Sequence, residues 1–138
     1  MSESRNLAGA NLASANFRGQ VLCGADLSGA TLVQADMLNC DLSGANLSCA
    51  DLNGADLTDA DFSDANLTGA NLTRARLRGA NFSGADLTGA ILARTDLQDA
   101  DFRGAKFDIE KLNISGTRAW QQAKWDPPVF EALKAKFG

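Results

Sequence analysis

Every fifth residue from Leu7 to Phe107 is Leu, Phe or Met, 21 positions without an exception. Two residues before each of these centres, from Ala10 onward, stands a small side chain that is almost always Ala, with Gln20, Cys40 and Thr95 as the substitutions. The residue just before the centre is usually Asn or Asp, and the two after it are mostly Ser, Thr or Ala followed by Gly, as in GADLTDADFSDANL from Gly54 to Leu67. A period of five matches neither the 3.6 of a helix nor the 2 of a plain strand, so the chain must bend within each repeat. Ala, Asp, Leu alternates inward, outward, inward like a short extended segment, and the pair that follows supplies a turn. Glycine fills 11 of the 21 second turn positions from Gly9 to Ile109, which predicts positive φ there. A chain that turns after every five residues coils on itself, and a narrow coil has room for one large side chain per side with a small one beside it.

This tandem A(D/N)LxG phrase, unbroken over residues 6 to about 109, resembles the pentapeptide-repeat proteins. The resemblance implies an all-β solenoid, a right-handed quadrilateral β-helix of about five coils, with four pentapeptides per coil and the central residue stacked inside. Phe62, Phe82 and Phe102 lie 20 residues apart and would form an aromatic column continuing Leu22 and Leu42, while Leu27, Leu47, Leu57 and Leu67 fill other parts of the same core. Burying each centre contributes on the order of 2 kcal/mol. The backbone ladder between coils must supply much of the rest.

The frame runs out near Leu112, with Thr117 at the next centre position. The expected division is a repeat domain over 1–117 with repeats at about 6–109, and a helical cap over 118–138 belonging to the same domain. Asp126 followed by Pro127 reads as an N-cap and first helical residue, and Phe130, Leu133 and Phe137 fall on one helical stripe. Such a helix would cover the unpaired backbone of the last coil. The short lead Met1 to Arg5 leaves the other end less protected, so the expectation is a monomer, or a homodimer through a solenoid end.

Composition narrows the chemistry. The chain holds no His and no Tyr, which removes the commonest general base and the usual nitrogen ligand of transition metals. Cys23, Cys40 and Cys49 lack paired spacing and read as free thiols. A coil filled by its own Leu and Ala offers no interior pocket, so no catalytic, cofactor or metal site is expected. Asp36 over Asp56, and Asp41 over Asp61, stack at one strand spacing but supply only two carboxylates where a hard cation wants six or more oxygens. Neither a leader nor a membrane-spanning stretch stands out, and the expectation is a cytoplasmic protein. A net charge of -4 argues against direct nucleic-acid and membrane binding.

Function is therefore expected on the outer faces. Within the resembled family, some members mimic DNA and protect gyrase, many others come from cyanobacteria, and protein contact is the general expectation. Residues 6–105 carry 12 Asp and six Arg, a net of -6, over roughly 25 Å of rod, whereas DNA carries about 15 charges over that length. A non-catalytic scaffold for an unknown protein partner is the first reading, and a gyrase-directed DNA mimic the alternative. Candidate contact residues are the outward apolar Val33 and Leu38, with Asp56 and Asp61 in the acidic run and Arg74, Arg76, Arg78 and Arg94 interrupting it; Val21 and Ile91 also break the consensus. The frame turns all four arginines outward. Arg76 falls in the column between Asp56 and Asp96, where it would compensate charge, and Arg74 falls beside Arg94.

Overall fold

The computed structural model describes residues 5 to 138; of the N-terminal lead, residues 1–4 lie outside the described residues. Parallel backbone bridges link each outward Asn or Asp to the residue 20 positions on, from Asn6 with Asp26 to Asp86 with Lys106. Twenty residues are four pentapeptides, so each coil has four sides. Face 1 runs through Asn6, Asp26, Asn46, Asn66, Asp86 and Lys106, and face 2 through Asn11, Thr31, Asp51, Asn71, Ile91 and Asn113. Face 3 runs through Asn16, Asp36, Asp56, Arg76, Asp96 and Arg118, and face 4 through Val21, Asp41, Asp61, Asn81, Asp101 and Lys124. Five regular coils over residues 6–105 are followed by a sixth, irregular one.

The repeat phrase has a backbone explanation at each position. The small residue's N–H donates back to the preceding centre's carbonyl, as from Ala30 to Leu27 at 3.0 Å, which closes a four-residue turn. The residue before that donor has positive φ at every corner from Gly9 to Gly104; a turn of this shape is type II, and glycine adopts it without steric cost. The outward Asn or Asp accepts the N–H two residues on through its Oδ1, as Asp61 does from Ser63 at 2.9 Å and Asn81 does from Ser83 at 2.9 Å. That bond satisfies a corner N–H the turn itself leaves free. Coils then join through backbone pairs such as Leu27 N–H to Asn46 O at 2.7 Å and Asn46 N–H to Ala25 O at 2.9 Å.

Inside, the centres stack as columns. Leu27, Leu47, Leu57 and Leu67 are fully buried, and Phe62, Phe82 and Phe102 stack at 4.9 Å with their rings within 3° of parallel. Cys40 takes an Ala position and is buried, while Thr95 does the same and donates its hydroxyl to Leu92 O at 2.8 Å. Gln20, at the third substituted position, is exposed because it belongs to the first coil, where Arg5 Nη1 donates to its side chain at 3.3 Å.

At the other end the register slips. A turn over Asp108–Lys111 inserts two residues, so Ile91 bridges Asn113 and Asp96 bridges Arg118, each 22 positions on; a short 3-10 turn at Trp120–Gln122 adds one more, and Asp101 bridges Lys124. The expected centre at Thr117 is corrected by this insertion: Leu112 takes the small-residue position and Ile114 the centre, both buried, so LNISG is a repeat in a shifted frame. Parallel pairing accordingly continues past residue 117 to Lys124. Trp125 lies on Phe102 at 4.5 Å and 10°, ending the aromatic column, and its Nε1 donates to Trp120 O at 2.8 Å.

Helix α1, Pro127–Phe137, follows directly. Asp126 holds the N-cap position with extended backbone, but its carboxylate accepts no bond from the helix; it accepts the Gly104 N–H at 2.9 Å and ties α1 to the fifth coil. Leu133 is fully buried, and Phe130 packs edge-tilted on Trp120 at 5.9 Å, whereas Phe137 stays 39% exposed. The apolar stripe therefore narrows to Phe130 and Leu133, backed by Val129. Lys136 Nζ donates to the carbonyls of Ile109 and Glu110 at 2.9 Å each, which pins the helix over the inserted turn.

Candidate functional site

The outward residues form four surfaces of different character. Face 1 is an Asn and Asp column whose corner residues Ser28, Thr68 and Thr88 donate hydroxyls to the carboxylate or amide two positions back, at 2.6 to 2.8 Å. Those bonds hold the carboxyls of Asp26 and Asp86 below the usual range, and on face 4 Arg103 does the same for Asp101. These acids are occupied by their own turns. The bridge partners Asp36 with Asp56 and Asp41 with Asp61 are likewise engaged, each accepting a corner N–H.

Face 3 differs. Between coils 3 and 6 it holds an open cleft of about 560 Å³ lined by Arg74, Arg76, Arg78, Arg94 and Arg118, with Asp96, Thr58, Ala75, Thr95 and Gly116. Five of the chain's eight arginines therefore meet at one place, against one lining carboxylate. Arg74 and Arg94 sit one coil apart at the corner between faces 2 and 3, both in the left-handed turn position, with φ 61° and 58°. Arg76 and Arg118 belong to the face itself, and Arg78 to the next corner.

Not all of these charges are alike. Arg78 donates from Nε to Asp96 Oδ2 at 2.7 Å and from Nη2 to Gln98 at 2.8 Å. The same device recurs on the same corner three coils earlier, 60 residues before, where Arg18 Nε meets Asp36 at 3.1 Å. Arg78 thus belongs to a repeated structural pair. Compensation of Asp96 comes from this corner, while Arg76 reaches only Asp56, at 4.0 Å. Among the described residues Arg74, Arg94 and Arg118 have no carboxylate within ion-pair distance. Exposed pairs such as Arg78–Asp96 contribute at most about 1 kcal/mol.

Three features of this face run against the repeat's own rules. Arg76 replaces the Asn or Asp whose side chain would accept the Arg78 N–H. Arg74 and Arg94 replace the glycine that suits positive φ, at a cost of about 1 kcal/mol each. They also stack as like charges in adjacent coils, where neighbours repel. Gly116 continues that corner column, and a methyl group there would lie 3.1 Å from Arg94 Cγ, so the glycine leaves room for the Arg94 stem.

The other sequence candidates lie apart from the cleft. Val33 and Leu38 occupy the two corners of coil 2 that border face 3 and are half-buried; Asp56 joins the cleft's edge through Arg76, and Asp61 lies on face 4. Val21, 63% exposed, and Ile91, 38% exposed, fall on opposite faces and form no common patch. Counting by 20 misses Arg118, because its register with Asp96 is 22 residues; the signal available in the sequence was the shifted LNISG repeat. All three cysteines are free. Cys40 is inert, its thiol pushed up to about 11 by burial and then by the Asp41 charge.

A coil of four pentapeptides with filled interior and outward-only chemistry defines a class of β-solenoid. The profile for pentapeptide repeats matches residues 6–37, 35–74 and 70–108, and the chain belongs to the pentapeptide-repeat family, whose fold is the right-handed quadrilateral β-helix. It is 36% identical to Rfr23, a pentapeptide repeat protein of the cyanobacterium Cyanothece 51142, over 77% of this chain and 64% of that one, with a TM-score of 0.52. HetL of Nostoc, a pentapeptide repeat protein involved in heterocyst differentiation regulation, is 29% identical over 88% of this chain and 60% of its own, with a TM-score of 0.34. A thylakoid-lumen member from Arabidopsis thaliana is 40% identical over 73% of this chain and 62% of its own, with a TM-score of 0.33. The chain thus spans less than two thirds of the length of each of these three. Among curated proteins none matches. No helix among the described residues is long and apolar enough to cross a membrane.

Proposed function

We propose that this chain is a non-catalytic scaffold, acting in the cytoplasm, that meets a protein partner through the outer faces of its coil, with face 3 as the contact surface. The observation that carries this reading is the filled interior: centres and small residues from Ala25 to Phe102 are almost completely buried, so binding chemistry is left to the outside. Face 3 combines the half-buried Val33 and Leu38 on coil 2 with the arginines above them. Neither nucleic acid nor membrane is a direct partner on this reading, and the rod acts as a monomer or as a homodimer through one end. The gyrase-directed alternative calls for a continuous acidic stripe, which the five arginines interrupt.

Two measurements decide between these. In a gyrase supercoiling assay the protein at micromolar concentration should leave activity unchanged; inhibition or protection would favour the DNA mimic. A pulldown from the source cells should lose its specific partner with the Val33→Asp/Leu38→Asp variant and keep it with Thr68→Asp/Thr88→Asp on a face 1 corner. Equal retention by both variants would remove face 3 as the contact.

A further inference from the structure

We infer that the face 3 cleft is a binding site for a compact polyphosphate, a chain of two or three phosphates held by Arg74, Arg94 and Arg118. The starting point is charge that the fold does not use. Arg78 belongs to a pair repeated at Arg18, and Arg76 approaches Asp56, but Arg74, Arg94 and Arg118 meet no carboxylate among the described residues. Two of them occupy left-handed corners where glycine is the unstrained choice, stacked one coil apart. Two like charges stacked at neighbouring corners that glycine would fill without strain, and left without a carboxylate, point to an anionic ligand that offsets their repulsion.

The lining selects the ligand's chemistry. Its only apolar side chain is Ala75, so there is no aromatic or aliphatic anchor of the kind a peptide segment buries at an interface. Recognition must rest on charge and on the paired donors of guanidinium groups, which match phosphate oxygens in forked geometry. A single carboxylate would neutralise one of the three free arginines; a diphosphate or triphosphate carries enough charge for all of them. The cleft's 560 Å³ suits a ligand of that size. Without a stacking surface, a nucleoside attached to the phosphates would add little. This site does not depend on the scaffold reading, because the cleft lies above the Val33 and Leu38 corners and is assayed on the chain alone.

The test is calorimetric titration of the full chain with inorganic triphosphate at low salt. Micromolar binding is expected, weakening steeply as salt is raised. The variant Arg74→Gly/Arg94→Gly should bind at least tenfold more weakly while its thermal midpoint is not lowered, since glycine suits both corners. Arg18→Gln, outside the cleft, should bind as wild type does. ATP should match triphosphate within threefold. The inference is overturned if triphosphate does not bind, if the double glycine variant binds unchanged, if Arg18→Gln loses as much, or if ATP or an oligo-aspartate peptide binds tenfold more tightly than triphosphate.

Discussion

The five regular coils and the sixth are built on one plan from different material, and the contrast shows what the plan requires. In the regular coils each side supplies one Leu, Phe or Met, the bridges fall 20 residues apart without exception, and each level repeats the one below it. In the sixth, the inserted turn at 108–111 and the 3-10 turn at 120–122 lengthen the path, yet bridges still form at 22 and 23 positions. Ile114 and Trp125 fill the places of the repeated centres, and Leu133 of α1 adds an apolar side chain from outside the coil. What persists is the pairing of backbone and the filling of the interior; the period of five is the economical way to achieve both, not a condition for either. The end differs because no seventh coil pairs with it, so a large aromatic surface and a helix replace the next layer.

Breaking the regular side of this contrast should have the largest effect. Leu57→Asp places a charge in a fully buried column, and a loss of more than about 4 kcal/mol, seen as an unfolded circular dichroism spectrum at 25 °C, is expected. At the irregular end, Trp125→Ala removes the stacking partner of Phe102 and the bond to Trp120 O. A loss of about 3 kcal/mol by urea denaturation is expected, with the regular coils still folded. If unfolding were instead as complete as for Leu57→Asp, the end would be the nucleus of the whole rod rather than its lid. The smallest effect should separate two corners of the same regular body. Gly29→Ala meets open space, whereas Gly84→Ala meets the Asp64 carboxylate lying over it. Both place a Cβ at a positive-φ corner, at a cost of about 1 kcal/mol, and Gly84→Ala should be the more destabilised of the two in thermal melts. Equal melts would mean that the Asp64 side chain swings aside without cost.

Much of this molecule is written directly in its order of residues. The centres at every fifth position, the inward Ala, the corner glycines and the aromatic column from Phe62 to Phe102 all follow from a strict local repeat, because each unit makes the same turn and contacts only its neighbours. The family resemblance supplied the four-sided coil, which periodicity alone leaves open. The outward direction of Arg74, Arg76, Arg78 and Arg94 was equally legible, since a residue's side of the chain is fixed by its place in the repeat. Three things were decided only in three dimensions. Leu112 lost the centre position to Ile114, and Thr117 became a small-residue position, because a turn of two extra residues shifted the frame, and insertion lengths are not marked by any period. Asp126 reached the Gly104 N–H of the coil edge rather than its own helix, whose first two residues, Pro127 and Pro128, have no N–H to donate. Arg118 joined Arg74 and Arg94 across the slipped register, while Arg78, and not Arg76, took Asp96. A repeat fixes direction by local geometry, but which charges meet depends on how coils align and how far each side chain reaches.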